Sequence, residues 1–388
     1  MSLRRAALLL ATVLTVTALG AACEPDTPTT SASPAPAPTT TQPAAAPTPT
    51  TTQPAAPTAA PMLLSNFAPH GYSAATGEVF GNRETASGAY NTFAVKVSDP
   101  TKVRSLTQGN ALYGTEDTHR AVSDVSADGR YMLMHVERNS HFPCWSPACA
   151  HASEAEPGKG AYNQVWLAST DGKQAWQLTD IDADKAFGTF WARFDSTGTR
   201  IVFAEIMRPA GWPEYFGGEQ MVVANITWTA GVPKMTNRIN LGNGVQFYEP
   251  YGFDHTGTAI VASSNEHAPG DPSKARISRF PLNGAAAQPL TAALGTGYQE
   301  FAFLRPDKSG YVVTSGYNGW IGGADRWLVR VAAPENEPSR VTNFANYKTG
   351  TPSAGISGGM AFVTNDKAVV GFTRNGVEDA YLVNVPAS

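Results

Sequence analysis

Two glutamates hold matching places in the chain. Glu249 stands four residues before Phe253, and Glu300 stands four before Leu304. Each apolar residue opens a polar turn, so both acids sit at the same point of a repeated unit. Even spacing along an extended strand puts each acid on the face of its apolar anchor. Two carboxylates at a suitable separation can cleave a glycoside, and they can also bind a cation or a sugar. His119 and Arg193 fall on neighbouring units and complete the set of candidate ligand-binding residues. The plainer alternative is polar packing around a wet channel, with Arg193 neutralising an acid.

Other reactive patterns stop short. Asp180, Asp182 and Asp184 alternate as in a Ca²⁺ loop, but Lys185 and Trp191 stand where an EF-hand wants Gly and Glu. These three are the metal candidates, with Ca²⁺ the ion; no other cofactor is expected. Ser357 lies in Gly355-Ile356-Ser357-Gly358-Gly359, which fits G-x-S-x-G, yet no His follows to complete a hydrolase triad. The seven histidines, His70, His119, His135, His141, His151, His255 and His267, are dispersed along the chain. No catalytic set is complete. Non-enzymatic binding of a protein, peptide or wall glycan is therefore the leading reading. A carbohydrate-active lyase or glycosidase at a channel mouth is the alternative.

The elements that must position these residues recur. An apolar residue, a tight polar turn and a short strand appear as Val125-Ser126-Ala127-Asp128-Gly129-Arg130, as Phe194-Asp195-Ser196-Thr197-Gly198-Thr199-Arg200 and as Phe253-Asp254-His255-Thr256-Gly257-Thr258. Weaker copies begin at Leu304 and Phe362. Such turns tolerate positive φ and set hairpins. Between them run alternating strands that close on Leu-Thr or Val-Thr, at Thr107, Thr179, Thr291 and Thr342. One such unit every 50–70 residues, each of four strands, is propeller arithmetic. The expected units are 62–108, 109–179, 180–242, 243–291, 292–342 and 343–388. The last strand, Tyr381–Val385, then needs an N-terminal partner such as Met62–Phe67 to close the ring. A five- or seven-bladed ring, or two sandwiches, are the alternatives.

These Ser-Ala-Asp-Gly-Arg and Asp-Ser-Thr-Gly-Thr-Arg turns, with their Leu-Thr endings, resemble the TolB-like (WD40-like) propeller repeat over roughly 62–388. The resemblance implies an all-β fold, a single six-bladed β-propeller. It implies little about function, because the N-terminal α/β domain of TolB itself has no counterpart in this chain.

The first 61 residues differ in character. Arg4-Arg5 precede an apolar run, Ala6 to Leu19, and then Gly20-Ala21-Ala22-Cys23. This is the layout of a secretory signal, 1–22. Its ending resembles a bacterial lipobox, with Gly20 where Leu is usual; the resemblance implies lipidation at Cys23. Ordinary cleavage near Ala22 is the alternative. Residues 24–61 hold 11 Pro, with Thr and Ala making up most of the rest. A 23–61 segment of that kind cannot bury enough apolar surface to fold and acts as an extended, disordered spacer.

If Cys23 is acylated, Cys144 and Cys149 remain, and an oxidising compartment favours a local disulfide between them. With His141 and His151 they offer four zinc-type ligands, the less favoured reading. The expected location is extracytoplasmic, held to the cell membrane by the lipid alone, as a monomer. The net charge of −4, with no basic stripe, excludes nucleic acid as a partner.

Overall fold

The computed structural model describes residues 62–386, apart from 86–88, 114–118, 138–162, 182–187, 208–217, 243, 270, 272–273, 292–298, 316–324, 331–338, 342–354 and 375–376. The strands of this region pair into six antiparallel sheets of four. After β1 (Met62–Leu64), the first sheet is β2 (Ala68–Ser73), β3 (Glu78–Glu84), β4 (Tyr90–Lys96) and β5 (Asp99–Ser105). The second is β6 (Arg120–Val125), β7 (Tyr131–Glu137), β8 (Asn163–Ser169) and β9 (Ala175–Gln177). The third is β10 (Gly188–Phe194), β11 (Arg200–Ile206), β12 (Glu219–Thr229) and β13 (Val232–Leu241).

The fourth sheet is β14 (Tyr248–Phe253), β15 (Ala259–Ser264), β16 (Arg276–Pro281) and β17 (Gln288–Pro289). The fifth is β18 (Gln299–Leu304), β19 (Gly310–Ser315), β20 (Asp325–Arg330) and β21 (Ser339–Arg340). These five are each built from four consecutive strands. The remaining sheet is composite: β22 (Gly355–Thr364), β23 (Lys367–Arg374) and β24 (Val377–Asn384) are completed by β1.

The innermost strands β2, β6, β10, β14, β18 and β22 touch one another in that order, and β22 touches β2 again. The sheets therefore surround a central axis as a β-propeller. Met62 pairs with Tyr381 and Leu64 with Ala380, so the two ends of the domain share a sheet. The first unit consequently begins at Ala68 rather than at residue 62, because 62–64 serve the last sheet. Around β1, Ser65 Oγ donates to Asp379 Oδ1 at 2.5 Å and the Phe67 amide to the Glu378 carbonyl at 2.7 Å.

The repeated turns work as the residue types imply. Asp254 Oδ1 accepts the amides of Thr258 (2.8 Å) and Ala259 (3.1 Å), and Asp195 does the same for Thr199 and Arg200. Gly129, Gly198 and Gly257 take φ of 69°, 71° and 71° at one shared turn position. In the weaker copy Lys308 occupies that position at φ 60°, left-handed backbone that disfavours a side chain. The core lies between neighbouring sheets. Leu133 and Val165 pack with Ile201 and Phe203 across one gap, and Phe80 packs with Met132 and Met134 across another. Strand β7 is buried on both faces for this reason.

Candidate binding site at the mouth of the central channel

Every innermost strand departs from regular pairing at its middle. The register shifts between Pro69 and Gly71, Val122 and Asp124, Phe190 and Arg193, Pro250 and Gly252, Glu300 and Phe303, and Ile356 and Met360. An extra residue in a strand bends it and re-aims a side chain. Four of the residues at these shifts carry rings that meet: Trp191 and Phe301 have centroids 5.5 Å apart, Tyr251 and Phe301 5.7 Å, and His70 and Trp191 6.2 Å. Trp191 (φ 52°) and Phe301 (φ 56°) both hold left-handed backbone to reach this layer.

The shifts also correct one expectation. Glu249 and Glu300 do hold equivalent places, second in β14 and second in β18. They do not share a face with Phe253 and Leu304, because the extra residue breaks the even spacing. By register, Glu249 lies on the face of Gly252, and Glu300 on that of Phe303. Glu249 accepts a hydrogen bond from the Tyr251 hydroxyl. Both glutamates are buried.

A cavity of about 460 Å³ opens at the mouth, and each innermost strand lines it: His70, Asp124, Arg193, Tyr251, Phe303 and Met360 represent the six. Of the four residues expected to bind, Arg193 lines it; Glu249, Glu300 and His119 do not. Arg193 is 4% exposed. Its Nη1 donates to the Ser123 carbonyl and, at 3.4 Å, to that of His70. Its guanidinium lies 5.4 Å from the Trp191 ring centroid and 5.3 Å from that of Phe303. Asp124 Oδ1 is 3.9 Å from Nη1. Asp124 also accepts the amides of Val125 (2.9 Å) and Phe194 (2.8 Å), which ties β6 to β10. Burial pushes its carboxyl up, against the opposing pull of Arg193.

The histidines are less dispersed in space than along the chain. His135 lies close enough to His119, Arg193 and His70 to sense the charge of each. Burial, the largest cause, pulls His135 down to about 3 and His119 to about 4. It also takes His70 to about 3, with help from Arg193. His135 Nε2 accepts the Ala192 amide at 3.1 Å, which requires that nitrogen to be unprotonated. No group of three or more His, Cys, Asp or Glu among the described residues is arranged to hold a metal ion.

Asp180 is exposed in the segment that follows β9. Asp182, Asp184, Cys23, His141, Cys144, Cys149 and His151 lie outside the described residues. The G-x-S-x-G run falls inside strand β22, and strand β23, not a helix, follows it.

Sequence reasoning missed His70, Asp124 and Tyr251. Part of the signal was present: Asp124, Arg193, Gly252 and Phe303 each stand one place before the apolar anchor of their turn. That column, not the column of the two glutamates, reaches the cavity.

No family model matches the chain, and no curated protein matches it. Solved structures do resemble it. A putative TolB from Agrobacterium tumefaciens is 13% identical, with 83% of this chain and 91% of that chain covered and a TM-score of 0.48. TolB from Acinetobacter baumannii is 8% identical, covering 84% and 64%, at 0.46. A puromycin-hydrolyzing peptidase from Mycobacterium tuberculosis is 13% identical, covering 86% and 53%, at 0.48. At these identities the likeness concerns propeller architecture, and no activity or partner is carried from these proteins to this chain.

Proposed function

We propose that the chain is an envelope binding protein, a six-bladed propeller that takes a protein or peptide ligand at the mouth of its central channel. The carrying observation is the cavity itself. All six innermost strands line it, and its walls combine apolar side chains such as Phe303, Met360 and Tyr251 with polar groups such as His70, Asp124 and Arg193. That is the build of a ligand site. The glycosidase alternative needs a carboxylate pair there, and neither Glu249 nor Glu300 lines the cavity. Asp195 and Asp254, which do, are held by Arg200 at 3.0 Å and Arg279 at 2.7 Å.

Signal 1–22, lipid anchor at Cys23 and spacer 23–61 would present this face outside the membrane. A disulfide between Cys144 and Cys149 would brace the long segment after β7. Exposed Ala127 lines the rim, so Ala127→Trp should fill the mouth without disturbing the core. Envelope proteins retained by the full chain should be lost with that variant. Unchanged retention would place the ligand elsewhere. Cys23→Ser should abolish fatty-acid labelling and release the protein from membranes; persistent labelling would refute the anchor.

A further inference from the structure

Arg193 has incomplete bonding. Nη1 is taken by two carbonyls, but Nε and Nη2 have no hydrogen-bond partner among the described residues. Leaving a buried donor without a partner costs the desolvation of that group. The ring faces of Trp191 and Phe303 answer the charge. Nε and one hydrogen of Nη2 lie along a single edge of that plane, the edge that a carboxylate meets with two parallel hydrogen bonds. His70, also on the cavity wall, has an unpartnered Nδ1 as well.

Two acids act on Arg193, Asp124 and more weakly the buried Glu249, and the other acids on the wall are already paired. Asp195 and Asp254 are paired with Arg200 and Arg279, and Arg305 with Asp307 at 3.2 Å. Asp124 faces Arg193 only at 3.9 Å and spends its oxygens on two amides. That leaves exposed Lys308, on the cavity rim, as a cation with no ion pair among the described residues.

We infer that the mouth cavity binds a carboxylate, met edge-on by Arg193, with an adjoining apolar group against Phe303, Met360 and Phe362. The ligand class is the acidic end of a peptide. This inference rests on the mouth being the binding site.

Calorimetry on the full chain with N-acetylphenylalanine, its amide and galacturonate tests it. The acid should bind roughly tenfold or more tightly than the amide, the worth of a charge-assisted pair. Arg193→Gln should remove that preference. Lys308→Gly removes the rim charge and relieves left-handed backbone, so it keeps the fold; it should weaken the acid and leave the amide unchanged. If Arg193→Gln does not fold, the acid–amide difference and Lys308→Gly decide. Equal binding of acid and amide, no binding of the acid, or tighter binding of galacturonate would overturn the inference. Equal binding that Ala127→Trp abolishes would leave the mouth reading standing while the carboxylate falls. Acid binding that survives Ala127→Trp would sink both.

Discussion

Three buried histidines give the fold a pH dependence. An unfolded histidine titrates near 6.5. Burial holds His70 and His135 down to about 3 and His119 to about 4. Between pH 6.5 and about 4 the unfolded chain binds protons that the folded chain refuses. Stability is therefore full above 6.5 and lost as pH falls through that window, at ~1.4 kcal/mol per pH unit for each proton. Denaturant midpoints should fall from pH 7 to pH 5. His135→Gln keeps an acceptor for the Ala192 amide and should flatten the slope by about one proton. A midpoint that does not move between those pH values would refute the buried-neutral assignment. These residues gave little away in the sequence, because a histidine inside an alternating strand looks the same buried or exposed.

At the scale of the element, the turns were legible and the bulges were not. An Asp, a Thr and a Gly at fixed offsets announce a hairpin by local chemistry alone, and Asp195 and Asp254 make the bonds those types allow. A register shift has no comparable residue signature, since any side chain can be the extra one. The face assigned to Glu249 and Glu300 was wrong for that reason. Close strand approach is equally hidden. A Cβ on Gly81 in β3 would stand 2.2 Å from the Ala68 carbonyl oxygen and 2.5 Å from Cζ of Phe67. Backbone cannot yield cheaply, so Gly81→Ala should cost about 2 kcal/mol or more. Thermal melts will read this; a shift under ~1 °C would mean that the sheet relaxes freely.

For the molecule as a whole, one short strand carries the closure. β1 pairs with β24, and without it the outer edge of the last sheet would be open and free to pair with another chain. Deleting residues 62–66 also removes the hydrogen bonds that Ser65 and Asn66 make to Asp379. The truncated domain should melt cooperatively at lower temperature and self-associate in sedimentation. Unchanged melting and a monomer would show that closure does not depend on β1. The requirement for an N-terminal partner strand was already visible, because a ring built from one chain must end where it began.

The sequence by itself determined the repeat and the turns, since each depends on local spacing and composition. It also pointed to the strand that closes the ring. Only the tertiary structure decided which column of residues reaches the axis. The two glutamates that first suggested a site share a repeat position, yet the bulges turned the neighbouring column of Asp124 and Arg193 into the cavity. A bulge is chosen by packing between sheets distant in sequence, so no window of local sequence records it.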